Sequence, residues 1–147
     1  VNAGVDGVIL PDLPPEEASK FLGFANAKSL DTIFLLAPTS TPDRIQMVGE
    51  ASKGFIYYVS LTGTTGTKEA LAENLEEKVS AIKNEVKLPV LIGFGISGPE
   101  QAKEAGQCSD GVIIGSAIVK LIESHSDPVE RDKKITEFIS SIKTALN

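Results

Sequence analysis

Short β-branched runs alternate along this chain with amphipathic stretches of helical period, and that alternation constrains the fold more than any other feature. The runs are Val8 to Leu10, Ile33 to Ala37, Phe55 to Ser60, Val90 to Gly93 and Val112 to Ile114. Nearly all their residues are apolar, as in parallel strands covered on both faces. Between them, apolar residues recur with a period near 3.6: Ala18, Phe21, Leu22 and Ala25; Ile45 and Val48, with Met47 as a further candidate; Leu71, Leu75, Val79, Ile82 and Val86. A last helix is expected to bury Ile135, Phe138, Ile139, Ile142 and Leu146. Pro15-Glu16-Glu17, Thr41-Pro42-Asp43 and Pro99-Glu100 mark helix starts, because proline and carboxylates both suit a first turn. The fold class is therefore α/β, built of parallel βα units.

Five such strands fit either an open doubly wound sheet or part of an eight-stranded barrel, and periodicity cannot choose between them. Two further features favour the barrel. Val1-Asn2-Ala3-Gly4 reads as the tail of a helix and its glycine stop, so the expected organisation is a single partial domain over residues 1–147 whose earlier units are missing. After the last strand an extra short helix is expected at about Ala117 to Glu123. Such a helix belongs to a barrel device in which the loops after the seventh and eighth strands bind phosphate.

The glycines at two successive strand-to-helix junctions carry the chemistry. "LPVLIGFGISGPEQ" (Leu88 to Gln101) and "DGVIIGSAIVKLIE" (Asp110 to Glu123) each run from an apolar strand through glycine into a helix. A phosphate approaches backbone N–H groups closely only where no Cβ intervenes, and a helix N-terminus adds a favourable field. One junction alone reads as a tight turn; two in succession, with the extra helix, favour phosphate binding. The loop "SLTGTTGTKEA" (Ser60 to Ala70) reads equally as a mobile lid, with Gly63 and Gly66 as pivots, or as a plain connection. Asp12 in "PDLPPEE" stands at the functional end of a strand, where a turn residue is the default reading. Of Tyr57 and Tyr58, one should face a barrel interior and the other pack under a helix.

Composition narrows the partners. The net charge of −6 and a pI near 4.8 disfavour a nucleic-acid surface, since the lysines are interleaved with acids. A single cysteine, Cys108, cannot form an internal disulfide and suits a reducing compartment; it has no histidine near it in sequence to activate it as a nucleophile. His125 lies in the polar segment Ser124 to Pro128, and with no second histidine no metal site is expected on it. No run of eighteen apolar residues and no signal peptide is evident, so a cytoplasmic location is expected.

At these residues the chain resembles the α subunit of tryptophan synthase. The strings that carry the resemblance are "AGVDGVILPDLPPEE", "LLAPTSTPDRI", "GFIYYVSLTGTTG", "PVLIGFGISGPEQA" and "DGVIIGSAIVK", in the family's order. The resemblance implies a partial (β/α)8 TIM barrel comprising strands four to eight, with the N-terminal units missing. It implies a lyase that cleaves indole-3-glycerol phosphate by a retro-aldol step to indole and glyceraldehyde 3-phosphate, with indole passing to a β subunit in a heterotetramer. The α subunit needs no cofactor; pyridoxal phosphate is expected only in the β subunit. Carried over by residue, Gly66, Gly95, Gly115 and Ser116 would hold the substrate phosphate, Tyr57 and Phe94 would wall the pocket, Thr65 would be the lid threonine and Asp12 would lie near the β-subunit contact. The two catalytic carboxylates would lie upstream of Val1, so this chain supplies no catalytic residue and is expected to be inactive alone. Leu61 and Thr64 depart from the family's lid string, where a basic and a branched apolar residue are common. Two alternatives remain: another phosphate-binding barrel enzyme of amino-acid biosynthesis, and a catalytically silent half-barrel that binds phosphate or a partner protein.

Overall fold

The computed structural model describes residues 3–60, 68–93 and 95–147. Along the chain run β1 (Gly7–Ile9), a 3-10 turn (Pro15–Glu17), α1 (Ser19–Ala27), β2 (Asp31–Ile33), β3 (Leu35–Leu36) and α2 (Pro42–Ala51). There follow β4 (Ile56–Val59), α3 (Lys68–Glu85), β5 (Val90–Gly93), α4 (Pro99–Gly106), β6 (Gly111–Ile113), α5 (Ser116–Ser124) and α6 (Pro128–Leu146). All strand pairs are parallel and neighbours in space are neighbours in sequence, β1 with β2 and then β3, β4, β5 and β6 in order. A doubly wound sheet reverses its strand order at a switch point. Among the described strands no reversal occurs, which leaves the barrel reading.

The second expected strand differs from its reading in sequence. It starts earlier, at Asp31, and is interrupted at Phe34, so its first half pairs with β1 and its second with β4. The cause is local. The Phe34 N–H donates to Ser52 Oγ at 3.4 Å, while Thr32 Oγ1 donates to the Ala51 carbonyl at 3.2 Å. The end of α2 thereby takes hydrogen bonds at the point where the strand changes partner.

Helix starts follow their capping chemistry. Thr41 Oγ1 accepts from the Arg44 N–H at 3.4 Å with Pro42 just inside α2, and Asp127 Oδ1 accepts from the Glu130 N–H at 2.9 Å with Pro128 opening α6. Pro15 opens only a 3-10 turn, and α1 begins beyond the fully buried Ala18.

The core lies between the sheet and its helices. Phe34, Leu36, Ile56, Tyr58, Val90 and Ile92 pack from the sheet against Val48, Val79, Ile82, Ala102 and Ile142 from the helices. Each such large side chain contributes about 1.5–3 kcal/mol on burial. The opposite face is half-open: Ile9 is 44% exposed, and Leu35, Tyr57, Leu91 and Ile113 are intermediate. Register places Leu35, Tyr57 and Leu91 side by side on that face and Leu36, Tyr58 and Ile92 on the helix face. Ile92 is thus a core residue at 1% exposure, although its strand position alone allowed it on the open face. Two helical stripes are also narrower than their sequences predict, since Met47, Ile139 and Leu146 are exposed. In α6 only Ile142 is fully buried, because that helix packs on α4 and α5 and leaves Ile139 facing away.

Candidate functional site

Parallel register builds the candidate site. Val59 pairs with Gly93 and Gly93 with Ile113, so three strands end in line. Two residues beyond Gly93 stands Gly95, and two beyond Ile113 stands Gly115, so both glycines follow the C-terminal ends of adjacent strands, whose paired residues lie roughly 5 Å apart in the hydrogen-bonding direction. Gly95 has a φ of +80°, which only glycine adopts without strain. Ile96 beside it is 7% exposed and anchors the turn, while Gly95 itself is exposed. Gly115 is the N-cap of α5, with its carbonyl accepting from the Ile118 and Val119 N–H groups at 3.0 and 3.1 Å. Its φ of −112° suits any residue, and a Cβ added there would meet no described atom within 4 Å. Nothing described in the protein's own packing requires a glycine at 115; a group approaching from outside would.

Gly93 has a different role from the other two. A Cβ at this position would collide with the ring of Tyr57, so the glycine makes room for a side chain of the neighbouring strand. Tyr57 is the tyrosine on the open face, and Tyr58, 2% exposed, is the one under the helices. Burial pushes the Tyr58 hydroxyl above its ordinary pKa, with a smaller push from Cys108. Cys108, between α4 and β6, is likewise raised, chiefly by burial and then by Glu76, which keeps it a thiol. Ser60 ends β4 with its N–H donating to the Gly93 carbonyl at 3.1 Å and its Oγ 3.4 Å from the same oxygen, tying the two strand ends together.

Register therefore brings Gly95, Gly115 and Ser116 to one end of the sheet, with Tyr57 on the adjoining open face. Asp12 is exposed beyond β1, at the opposite end of the strand order. The turn that follows it is held to α2 by an ion pair between Glu16 and Arg44. Thr65, Gly66 and Phe94, together with Leu61 and Thr64, lie outside the described residues. Among the described residues, no three His, Cys, Asp or Glu side chains come together as a metal site, and no helix is long and apolar enough to cross a membrane.

The family model for the tryptophan synthase alpha chain matches residues 1–147. The chain belongs to the tryptophan synthase alpha chain family. It is 44% identical over 145 residues to the tryptophan synthase alpha chain of Pelobacter propionicus, covering 99% of this chain and 54% of that protein. With the alpha chain of Geotalea daltonii it shares 47% identity over 146 residues, covering 99% of this chain and 55% of the relative. The crystal structure of tryptophan synthase subunit alpha from Legionella pneumophila str. Paris superposes with a TM-score of 0.80 at 33% identity, covering 99% of this chain and 53% of that one. The chain thus spans about half the length of the curated relatives it matches. Its sequential parallel sheet is the corresponding part of the alpha chain's TIM barrel.

A second group of polar residues was not evident as a site from the sequence. Ser116, Lys120 and Ser124 recur at a spacing of four on α5 and line a cleft with His125. The spacing was legible; the residues opposite it, Ser97 and Phe138, were not.

Proposed function

We propose that this chain is the phosphate-binding portion of a tryptophan synthase α lyase, a single partial domain of its barrel. The reaction is the retro-aldol cleavage of indole-3-glycerol phosphate to indole and glyceraldehyde 3-phosphate. The observation that carries the reading is the pair of adjacent strand ends at Gly95 and Gly115–Ser116, in a chain of this family. Their backbone N–H groups donate to the substrate phosphate, and α5 adds the positive end of a nine-residue helix. Gly66 contributes from the lid loop, and Thr65 closes over the bound substrate. Tyr57 and Phe94 wall the space beside the indole.

Retro-aldol cleavage requires a proton delivered to the indole ring and another removed from the glycerol hydroxyl. Those tasks fall to two carboxylates outside these 147 residues, so the chain by itself binds phosphate without turnover. It needs no cofactor of its own. Indole passes to a pyridoxal-phosphate β subunit in a cytoplasmic heterotetramer, with Asp12 near the contact.

Glycerol 3-phosphate binding tests the reading. Gly115→Ala adds a methyl group into open space, so the fold should persist while affinity falls at least about tenfold, as expected when a charge-assisted contact is lost. Unchanged affinity in this variant, measured by calorimetry, would remove the phosphate from this junction.

A further inference from the structure

Behind the strand-end glycines lies a cleft of about 390 Å³ between α5, α6 and the turn after β5. That volume falls in the range of small-molecule sites, roughly 300–1,000 Å³. Ala117, Leu121 and Phe138 give it an apolar part. Ser97, Ser116 and Lys120 line it as well, and none of its described lining residues is acidic, on a chain whose net charge is −6. At its other end Ser124 Oγ donates to the Lys120 carbonyl at 2.7 Å, and His125 Nδ1 lies 2.9 Å from the Leu121 carbonyl. A carbonyl only accepts, so Nδ1 carries the hydrogen and Nε2 is the nitrogen left for another partner. Ser116 and Ala117 are also the first two residues of α5, where backbone N–H groups have no partner within the helix.

We propose that this cleft binds a small amphipathic organic anion, its charged head at Lys120 and the Ser97 and Ser116 hydroxyls and its hydrocarbon body on Leu121 and Phe138. Charge complementarity selects the head: Lys120 and the first turn of α5 line the cleft, and none of its described lining residues is a carboxylate. The apolar side chains select the body, which separates this occupant from inorganic phosphate. The site goes beyond the phosphate reading above; besides the N-terminal turn of α5 it shares Ser116 with it. Occupants of the two places meet at that residue, so each should alter the other's affinity by the same factor.

Ligand-observed saturation-transfer NMR with 3-phenylpropionate tests the site, and it works on assemblies of any size. Saturable binding is expected for the unaltered chain, with the neutral 3-phenylpropanamide much weaker. Lys120→Met should weaken phenylpropionate at least about tenfold, as loss of a charge-assisted contact does, and Lys120→Arg should restore most of it. Both variants should keep their glycerol 3-phosphate affinity. Gly115→Ala should do the reverse, keeping phenylpropionate and losing glycerol 3-phosphate. Absence of saturable phenylpropionate binding in a chain that binds glycerol 3-phosphate overturns the cleft alone. Binding that Gly115→Ala abolishes and Lys120→Met leaves intact puts the anion at the phosphate junction and also overturns it. Loss of both ligands in the unaltered chain overturns both readings.

Discussion

The ring of Tyr57 occupies the space that a side chain at Gly93 would need. These residues lie on adjacent strands, with Tyr57 paired to Leu91, two positions before Gly93 on the same face. Tyr57 can therefore lie flat along the open face only while position 93 has no Cβ, and the glycine fixes the ring's place beside the strand ends.

Gly93→Ala is expected to destabilise the chain by about 1–3 kcal/mol, the usual cost of overpacking a filled site. Gly23→Ala is its control. Gly23 lies inside α1 with no described atom within 4 Å of an added Cβ, so alanine there should stabilise by about 0.5–1 kcal/mol through helix propensity. Urea denaturation of both variants checks the contrast; equal effects would show that Tyr57 can move aside freely.

At the other end of the sheet, Asp110 joins α3 to the first residue of β5. Its carboxylate accepts from Lys83 Nζ at 2.7 Å and from the Val90 N–H at 2.8 Å. The lysine hydrogen bond and then the Val90 N–H hold its pKa below the ordinary aspartate value. Asp110→Ala leaves the N–H of fully buried Val90 without its partner, an expected loss of about 1–3 kcal/mol. Asp110→Asn keeps an acceptor and loses only an ion pair with substantial exposure, so it should cost less than about 1 kcal/mol. Thermal unfolding at neutral pH should rank the two in that order.

Acid should remove the same contribution. A folded-state pKa below the unfolded one, about 3.9 for aspartate, means that ionised Asp110 stabilises the fold above that pH. The contribution fades as the pH falls through the lower, folded value. Glu16, lowered by a backbone hydrogen bond and then by Arg44, acts in the same direction. Unfolding midpoints recorded from pH 6 down to pH 2 should fall more steeply in the parent chain than in Asp110→Asn.

The open face predicts how the 147-residue chain behaves when purified by itself. Ile9, Leu35, Tyr57, Leu91 and Ile113 leave a half-exposed apolar surface, and β1 and β6 each have one paired neighbour among the described strands. Apolar surface beside unpaired strand edges promotes association. Sedimentation velocity is expected to show concentration-dependent oligomers; a sharp monomer at every concentration would contradict this.

The sequence by itself determined the order of strands and helices, the starts of α2 and α4, and the two glycine junctions. Each depends on contacts within a few residues: Pro and Thr or Asp at a first turn, apolar runs bounded by glycine, a stripe of period 3.6. The extra helix α5 was legible for the same reason. Only the tertiary structure decided what depends on register. It split the second strand at Phe34, because Ser52 from a distant helix end takes that N–H. It assigned Ile92 to the core and Leu91 to the open face, a difference of one residue that alternation allows either way. It separated Gly93, which makes room for Tyr57, from Gly115, whose missing side chain no described packing explains. It also brought Ser97 and Phe138 against α5 to form a cleft. Such meetings depend on how parallel strands align and where helices pack over them, and neither is encoded in any short stretch of the chain.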